Sequence, residues 1–450
     1  MSALNITVTP ADDLIDVPRR IVVTGAVPGG LVQIASHTLR AGVPWHSSAR
    51  FVADANGHVD VTLAPAVDGS YAGISAMGLL WSQIPAQEGK RELFHADVQQ
   101  PLTTTLHASV VGADAGDAVE TTLVQRLCAE GVTRREVREQ GLVGSLFLPP
   151  ASAGPGSGTA SYPAVMILNG SGGGINEPRA ALYASRGYAA FALGYFKAPG
   201  LSDYISNTPL EYFAKGLDWL RAAVKPLHDF VAISGQSRGG ELVLLLGATF
   251  PDKVSAVLAY VPSALVHSGQ NACDPAVGRE GPTWLLDGKP LTHQWENNRC
   301  ASWAPFDDGA PPHRHALAML TALQDKEAVA RARIPVEKIQ APVLLLSAKD
   351  DGSWPSSVYA KMVSDKLEAV AHPHAVQWHD YQDAGHAILF PTVPTTQISY
   401  AHPVSKRIST GGGQPAANAY ADHHAWQHAQ QFLRDALAAR QAFLIRKEVS

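Results

Sequence analysis

Residues 235–239 read Gly-Gln-Ser-Arg-Gly, a G-x-S-x-G pentapeptide between two apolar runs, FVAIS before it and LVLLLG after it. A serine hydroxyl becomes a useful nucleophile only under three conditions. It must be lifted clear of its backbone, a base must take its proton, and donors must receive the charge that develops on the attacked carbonyl. The pentapeptide meets the first condition. A serine on a sharp strand-to-helix turn is held in a strained conformation, and Gly235 and Gly239 remove side chains that would collide with chain passing on either side. The same turn puts Ser237 at a helix N-terminus, where unpaired N–H groups and the helix dipole favour negative charge. The N–H of Arg238 is therefore expected as one oxyanion donor. A helix N-cap would explain a serine here, but not the three glycines at 235, 239 and 240.

A second donor belongs in the loop after an earlier buried strand, and VMILNGSGGG (165–174) ends such a run in a glycine-rich turn, with Ser171 or Gly172 as the donor. This turn carries neither G-x-x-x-x-G-K-[ST] nor a G-x-G-x-x-G opening a helix in a first βαβ unit, so it reads as an oxyanion loop rather than a phosphate cradle. The acid and the base should follow the serine in the order Ser, Asp/Glu, His, at the carboxyl ends of later strands. PVLLLSAKDD (342–351) ends a strand in Asp350 and Asp351, and AVQWHDYQDAGH (375–386) ends one in a turn carrying His386. Spacing leaves open which aspartate faces the histidine; one is the acid, the other a turn cap. Of the 18 histidines, His386 is singled out by that turn, while His379 lies inside an apolar run and reads as packed. His423, His424 and His428 lie on a closing helix. His424 and His428 can share a face, but without acidic or cysteine company a solvated face is the plainer reading, and no metal is expected.

These groups need elements to hold them. From Ile6 to about Leu106 short alternating segments (NITVTP, RRIVVTGAV, LVQIASHT, SARFVADANGHVDVTL, SYAGISAMGLLW) read as strands of an antiparallel sandwich. DANG (54–57) reads as a hairpin turn with Asn56 and Gly57 at positive φ. After about Thr122 the pattern changes. RREVREQGLVGSLFLPP reads as a hairpin and ASAGPGSGTASYP (151–163) as a loop. Apolar runs then alternate with helix-like segments such as PRAALYASRG, EYFAKGLDWLRAA and RGGELVLLLGATF, the pattern of βα units around a buried, mostly parallel sheet. The stretch 267–315 is rich in Trp, Pro and Gly and lacks periodicity, as lids and binding loops do. The segment 419–444 fits a closing amphipathic helix.

At 450 residues two domains are expected, here 1–122 and 123–450. With 46% hydrophobic and 17% charged residues the chain has the composition of a folded globular protein. A formal net charge of −5, without a long basic run, argues against a nucleic-acid partner. No stretch reaches the roughly 18 apolar residues of a membrane span, and the N-terminus lacks the features of a secretory signal, so a cytoplasmic location is expected. Cys273 and Cys300 share one irregular stretch and can be imagined to pair, but a reducing compartment disfavours it.

The order of these blocks resembles the acyl-CoA thioesterases and bile acid-CoA:amino acid N-acyltransferases nearly end to end. DVPRRIVVTGAVPGG and ARFVADANGHVDV resemble that family's first domain; NGSGGGINEPRAALYASRGYAAFALGYF, ISGQSRGGELVLLL and IPVEKIQAPVLLLSAKDDGSWPSSVYA resemble its second. The resemblance implies an α/β fold class: a C-terminal α/β-hydrolase fold with an N-terminal immunoglobulin-like β-sandwich. It also implies Asp351 as the acid, His386 as the base and no cofactor. Serine rather than cysteine at 237 points within that family to hydrolysis of acyl-CoA. Transfer of the acyl group to an amino acid, or a carboxylesterase without CoA specificity, are the alternatives. The CoA phosphates would need cations near the mouth, and Arg238, Lys197 or basic residues of 267–315 are placed for this only by position. A monomer or small homo-oligomer is expected. The stretch 267–315 departs most from the family pattern, which leaves acyl preference open.

Overall fold

The computed structural model describes residues 3–112, 118–150 and 161–449; residues 151–160 of the expected loop lie outside these. The chain divides into two compact units, one of Met1–Ala129 with Leu389–Ile398 and Asn418–His423, the other of Glu130–Ile388, Ser399–Ala417 and His424–Ser450. The first unit runs past residue 122 because the strand Val119–Arg126 pairs along its length with Leu102–Val110. It also takes back two later segments, which order along the chain cannot reveal.

In the first unit one sheet pairs Arg20–Thr24 with Asn5–Thr9 and with Val59–Asp60. The second runs Asp12–Leu14, Val119–Arg126, Leu102–Val110, Leu31–Arg40, Val43–Val52, Asp68–Gly69. Alternation puts every second side chain inward, so Ile21 and Val23 of the first sheet share one core with Val32, Ile34, Phe51 and Leu106 of the second. This is the expected sandwich.

Two local expectations fail there. The strands flanking Asp54–Gly57 do not pair with each other: Val43–Val52 stays in one sheet and Val59–Asp60 joins the other. The turn closes on itself instead, because the Asp54 carboxylate accepts the N–H groups of Asn56 (2.8 Å) and His58 (2.9 Å). Only Gly57 takes a positive φ, +74°, and a Cβ there would meet Ala26 O at 2.1 Å. The second failure is at Gly78–Trp81, read as part of a strand, which forms one helical turn with Leu79 and Leu80 buried. An apolar run this short does not distinguish the two by periodicity.

The second unit is built on an eight-stranded sheet. Its strands are β1 (Thr133–Val137), β2 (Val143–Leu148), β3 (Ala164–Leu168), β4 (Ala189–Gly194), β5 (Val231–Gln236), β6 (Ala256–Tyr260), β7 (Val343–Ala348) and β8 (Val376–Tyr381). They lie in the order β1-β2-β4-β3-β5-β6-β7-β8. β1, β2 and β4 are antiparallel neighbours, and every pair from β4 through β8 is parallel. Each parallel neighbour must be reached by a crossover, and α1 (Glu177–Ser185), α2 (Leu210–Val224), α3 (Arg238–Thr249) and α4 (Ser356–Ala369) lie on those crossovers. The closing helix, α5, is Pro415–Val449. β3, β5, β6 and β7 are buried almost throughout, as strands covered on both faces are. The topology and layers are those of an α/β fold, and they aim the ends of β3, β5, β7 and β8 at one edge of the sheet. Cys273 and Cys300 do not pair and are free thiols.

Candidate active site

Ser237 stands between β5 and α3 with φ 59° and ψ −119°, a backbone region that only an over-determined surrounding sustains in a non-glycine residue. That surrounding is visible. A Cβ on Gly235 would meet Gly239 O at 2.1 Å, and one on Gly239 would meet Leu168 O and Asn169 O, each at 2.6 Å. The serine makes no side-chain cap bond to its helix. Its Oγ lies 2.7 Å from His386 Nε2, and His386 Nδ1 lies 2.8 Å from Asp351 Oδ2. An ionised carboxylate only accepts, so Nδ1 carries the proton and Nε2 is left to accept from the serine hydroxyl.

The two aspartates separate clearly. Asp351 uses its second oxygen, Oδ1, to accept the N–H groups of Ser353 (2.9 Å) and Trp354 (3.2 Å), so it is turn cap and histidine partner at once. Asp350 pairs with Arg314 (2.7 Å) and accepts from Gly413 N (2.9 Å). The expectation that the other aspartate caps the turn is thereby corrected: one carboxylate has enough lone pairs for both tasks.

A feature the sequence reading missed holds this arrangement together. Gly411 O accepts from both Gly352 N (2.9 Å) and His386 N (2.8 Å), so one carbonyl ties the aspartate turn to the histidine turn. Gly412 has φ +74°, and a Cβ there would meet Asp350 O at 2.0 Å. The signal was present as the glycine triplet 411–413, but nothing local says what it would touch.

The glycine loop after β3 comes against the serine: a Cβ on Gly170 would lie 3.2 Å from Ser237 Cβ. Of its expected donors, Ser171 faces the same cavity as Ser237, Arg238 and His386, whereas Gly172 is not part of that lining. Ser171 Oγ lies 3.0 Å from Nε2 of His402, a second residue the sequence reading missed. His402 Nδ1 accepts from Val404 N (3.2 Å) and Ser405 N (3.3 Å), so Nε2 carries the proton and donates to Ser171. The Ser171 hydroxyl is then able to donate onward. Burial, followed by Lys197 and Lys406, pulls the His402 pKa down to about 4. It is neutral near pH 7.

As the first residue of α3, Arg238 has an N–H with no acceptor inside its helix. Its guanidinium is not available to a ligand. It is 2% exposed and bonded to Glu241 (2.8 Å), Ser268 O (2.9 Å) and Gln270 Oε1 (3.1 Å). Glu241, fully buried, also accepts from Trp284 Nε1 (2.8 Å) and His267 N (3.2 Å). Burial pushes its pKa up, against the pull of Arg238. This buried cluster fastens the irregular stretch to α3. Within that stretch Trp295 and Trp303 stack with centroids 4.0 Å apart, and Gly269, Gln270, Asn271 and His315 line the cavity at Ser237. Arg279 and Arg299 there are taken by Asp307 and Asp325. The cavity itself holds about 40 Å³.

His379 is packed, as expected, while His424 and His428 stand half-buried against it rather than on a solvated face. His379, His424 and His428 come together, all half-buried, on β8 and α5. Periodicity located each residue but not the packing of helix on strand.

No helix among the described residues is long and apolar enough to cross a membrane. Residues 16–139 match the family model described as the acyl-CoA thioester hydrolase/BAAT N-terminal region, and residues 208–439 match BAAT / acyl-CoA thioester hydrolase C terminal. Acyl-coenzyme A thioesterase 6 of Mus musculus is 31% identical over 93% of this chain and 93% of its own. The Homo sapiens protein of that name is 31% identical over 95% of each chain. Mitochondrial acyl-coenzyme A thioesterase 2 of Mus musculus is 32% identical over 94% of this chain and 87% of its own. With both of its models matched in order and relatives aligned almost end to end, the chain belongs to the acyl-CoA thioester hydrolase/BAAT family.

Proposed function

We propose that this chain hydrolyses acyl-CoA thioesters to the free acid and CoA through an acyl-enzyme on Ser237. The observation that carries the reading is the unbroken run of hydrogen bonds from Ser237 through His386 to Asp351, at 2.7 and 2.8 Å, on a strained elbow. As Oγ bonds to the thioester carbonyl carbon, His386 Nε2 takes the hydroxyl proton and Asp351 stabilises the imidazolium. The carbonyl oxygen becomes an oxyanion against the Arg238 N–H and the Ser171 side of the glycine loop. When the C–S bond breaks, the imidazolium proton goes to the CoA sulfur. A water then gives its proton to Nε2 and its oxygen to the acyl carbon, and Ser237 recovers its proton as the acid leaves.

Lys197 and Lys406 are the cations we assign to the CoA phosphates, because both stand close enough to the cavity to weigh on His402. Arg238 is not assigned there, since its charge is neutralised in the interior. A cavity of about 40 Å³, in which each water takes roughly 10–15 Å³, holds a few waters and not an extended acyl chain. The acyl chain must therefore enter by displacing wall residues, among them Asn271 and Tyr400. A cytoplasmic site of action and a monomeric or small homo-oligomeric state belong to the same reading; cell fractionation and sedimentation check them.

The test is thiol release from acyl-CoAs of graded chain length by wild type and Ser237→Ala, with p-nitrophenyl esters, glycine and taurine in parallel. CoA release that is lost in the variant and indifferent to amine supports the proposal. Amide formation would make the chain an N-acyltransferase, and ester turnover without thioester turnover a carboxylesterase.

A further inference from the structure

Outside the site at Ser237, one cluster has the donor chemistry of a second site. A ring nitrogen from each of His379, His424 and His428 lies within 4.8 Å of the other two. His379 is on β8, and His424 and His428 are spaced i, i+4 on α5, which puts them on one face of the helix. Nε2 of His424 and Nε2 of His428 are 3.1 Å apart. Two nitrogens bound tetrahedrally to zinc at about 2.0–2.1 Å stand about 3.3 Å from each other. The pair is thus already at ligand spacing. The Tyr381 hydroxyl lies 3.1 Å from Nδ1 of His424, the type of outer partner that fixes a ligating ring with its other nitrogen forward. The rings of His379 and His428 have centroids 3.8 Å apart, and Nε2 of His379 is buried without a hydrogen-bond partner. A buried ring nitrogen is seldom left so.

We propose that His379, His424 and His428 form a three-imidazole site for a divalent transition metal ion of the zinc class, which cross-links edge strand β8 to helix α5. Three neutral nitrogens and no carboxylate suit Zn²⁺, Cu²⁺ or Ni²⁺ and not Mg²⁺ or Ca²⁺. A tetrahedral ion held by three ligands keeps one position for water. Because β8 runs into the turn that carries His386, the cross-link stabilises the catalytic half of the sheet without entering the reaction.

The full-length protein, stripped with a chelator and dialysed, is titrated with Co²⁺ and the visible ligand-field bands of four-coordinate cobalt are recorded; Zn²⁺ then competes. One equivalent per chain is expected, displaced by Zn²⁺ but not by Mg²⁺. Zn²⁺ should raise the melting temperature. His374→Ala, outside the cluster, should bind like wild type, and His379→Ala and His428→Gln should lose at least tenfold in affinity while still releasing CoA from acyl-CoA. Binding below one equivalent, cobalt bands of six-coordinate type, or undiminished affinity in His428→Gln overturns the proposal. If the variants fail to fold, the wild-type cobalt spectrum alone decides it.

Discussion

At the scale of residues, the chemistry rests on hydrogen-bond direction. His386 presents a bare Nε2 to Ser237 because Asp351 holds the proton on the other nitrogen. His402 presents an N–H to Ser171 because backbone N–H groups occupy its Nδ1. Ser171→Ala should therefore lower kcat by on the order of 10²-fold if the hydroxyl serves the oxyanion, since removing one such donor costs about that much. His402→Gln, which keeps a donor near Ser171, should fall by less than Ser171→Ala; steady-state kinetics on one acyl-CoA compares them. Lys197→Ala should raise KM for acyl-CoA and leave KM for p-nitrophenyl esters unchanged, because only the thioester substrate carries phosphates. That Ser237, an aspartate of the 350–351 pair and His386 could meet was legible in the sequence because each follows a strand that announces itself as an apolar run. The choice between Asp350 and Asp351 was not. Adjacent residues at a strand end point to opposite sides, and which side faces the histidine depends on the turn.

At the scale of elements, the site is where four strand ends and one glycine segment converge. The βα grammar was legible because parallel strands buried on both faces read as unbroken apolar runs while amphipathic helices repeat every 3.6 residues. The role of Gly411–Gly413 was not, because a tertiary clasp leaves no periodic trace. Gly412→Ala should strain the clasp through both the Asp350 O contact and the positive φ. We expect a loss of about 1–3 kcal/mol in stability, measured by denaturant unfolding, with a disproportionate loss of kcat. Tyr400 lines the cavity at Ser237, so Tyr400→Ala should shift the preferred acyl length upward in a chain-length series. The hairpin misread at Asp54–Gly57 has the same origin: alternation specifies a strand, and only the partner sheet specifies a pairing.

At the scale of the whole molecule, the sequence pattern changes near residue 122, whereas the first compact unit runs to Ala129 and takes in 389–398 and 418–423, which nothing in the pattern announces. Sequence distance carries no information about such returns. The buried histidines set a pH dependence of stability. Burial holds His315 at about 3 and His402 at about 4, both below their ordinary 6.5. Between 6.5 and those values the unfolded chain binds protons that the native chain refuses, so stability falls as pH drops through that window and is indifferent to these groups above it. His315→Gln, which cannot take the proton, should flatten the slope of melting temperature against pH in that range even where it lowers stability overall.

The most direct measurement is mass spectrometry of the protein quenched within its first turnovers on an acyl-CoA. The account predicts a mass increase equal to one acyl group, confined to the peptide containing Ser237 and absent in Ser237→Ala. CoA release at full rate with no adduct on that peptide, or release that survives Ser237→Ala, would contradict it.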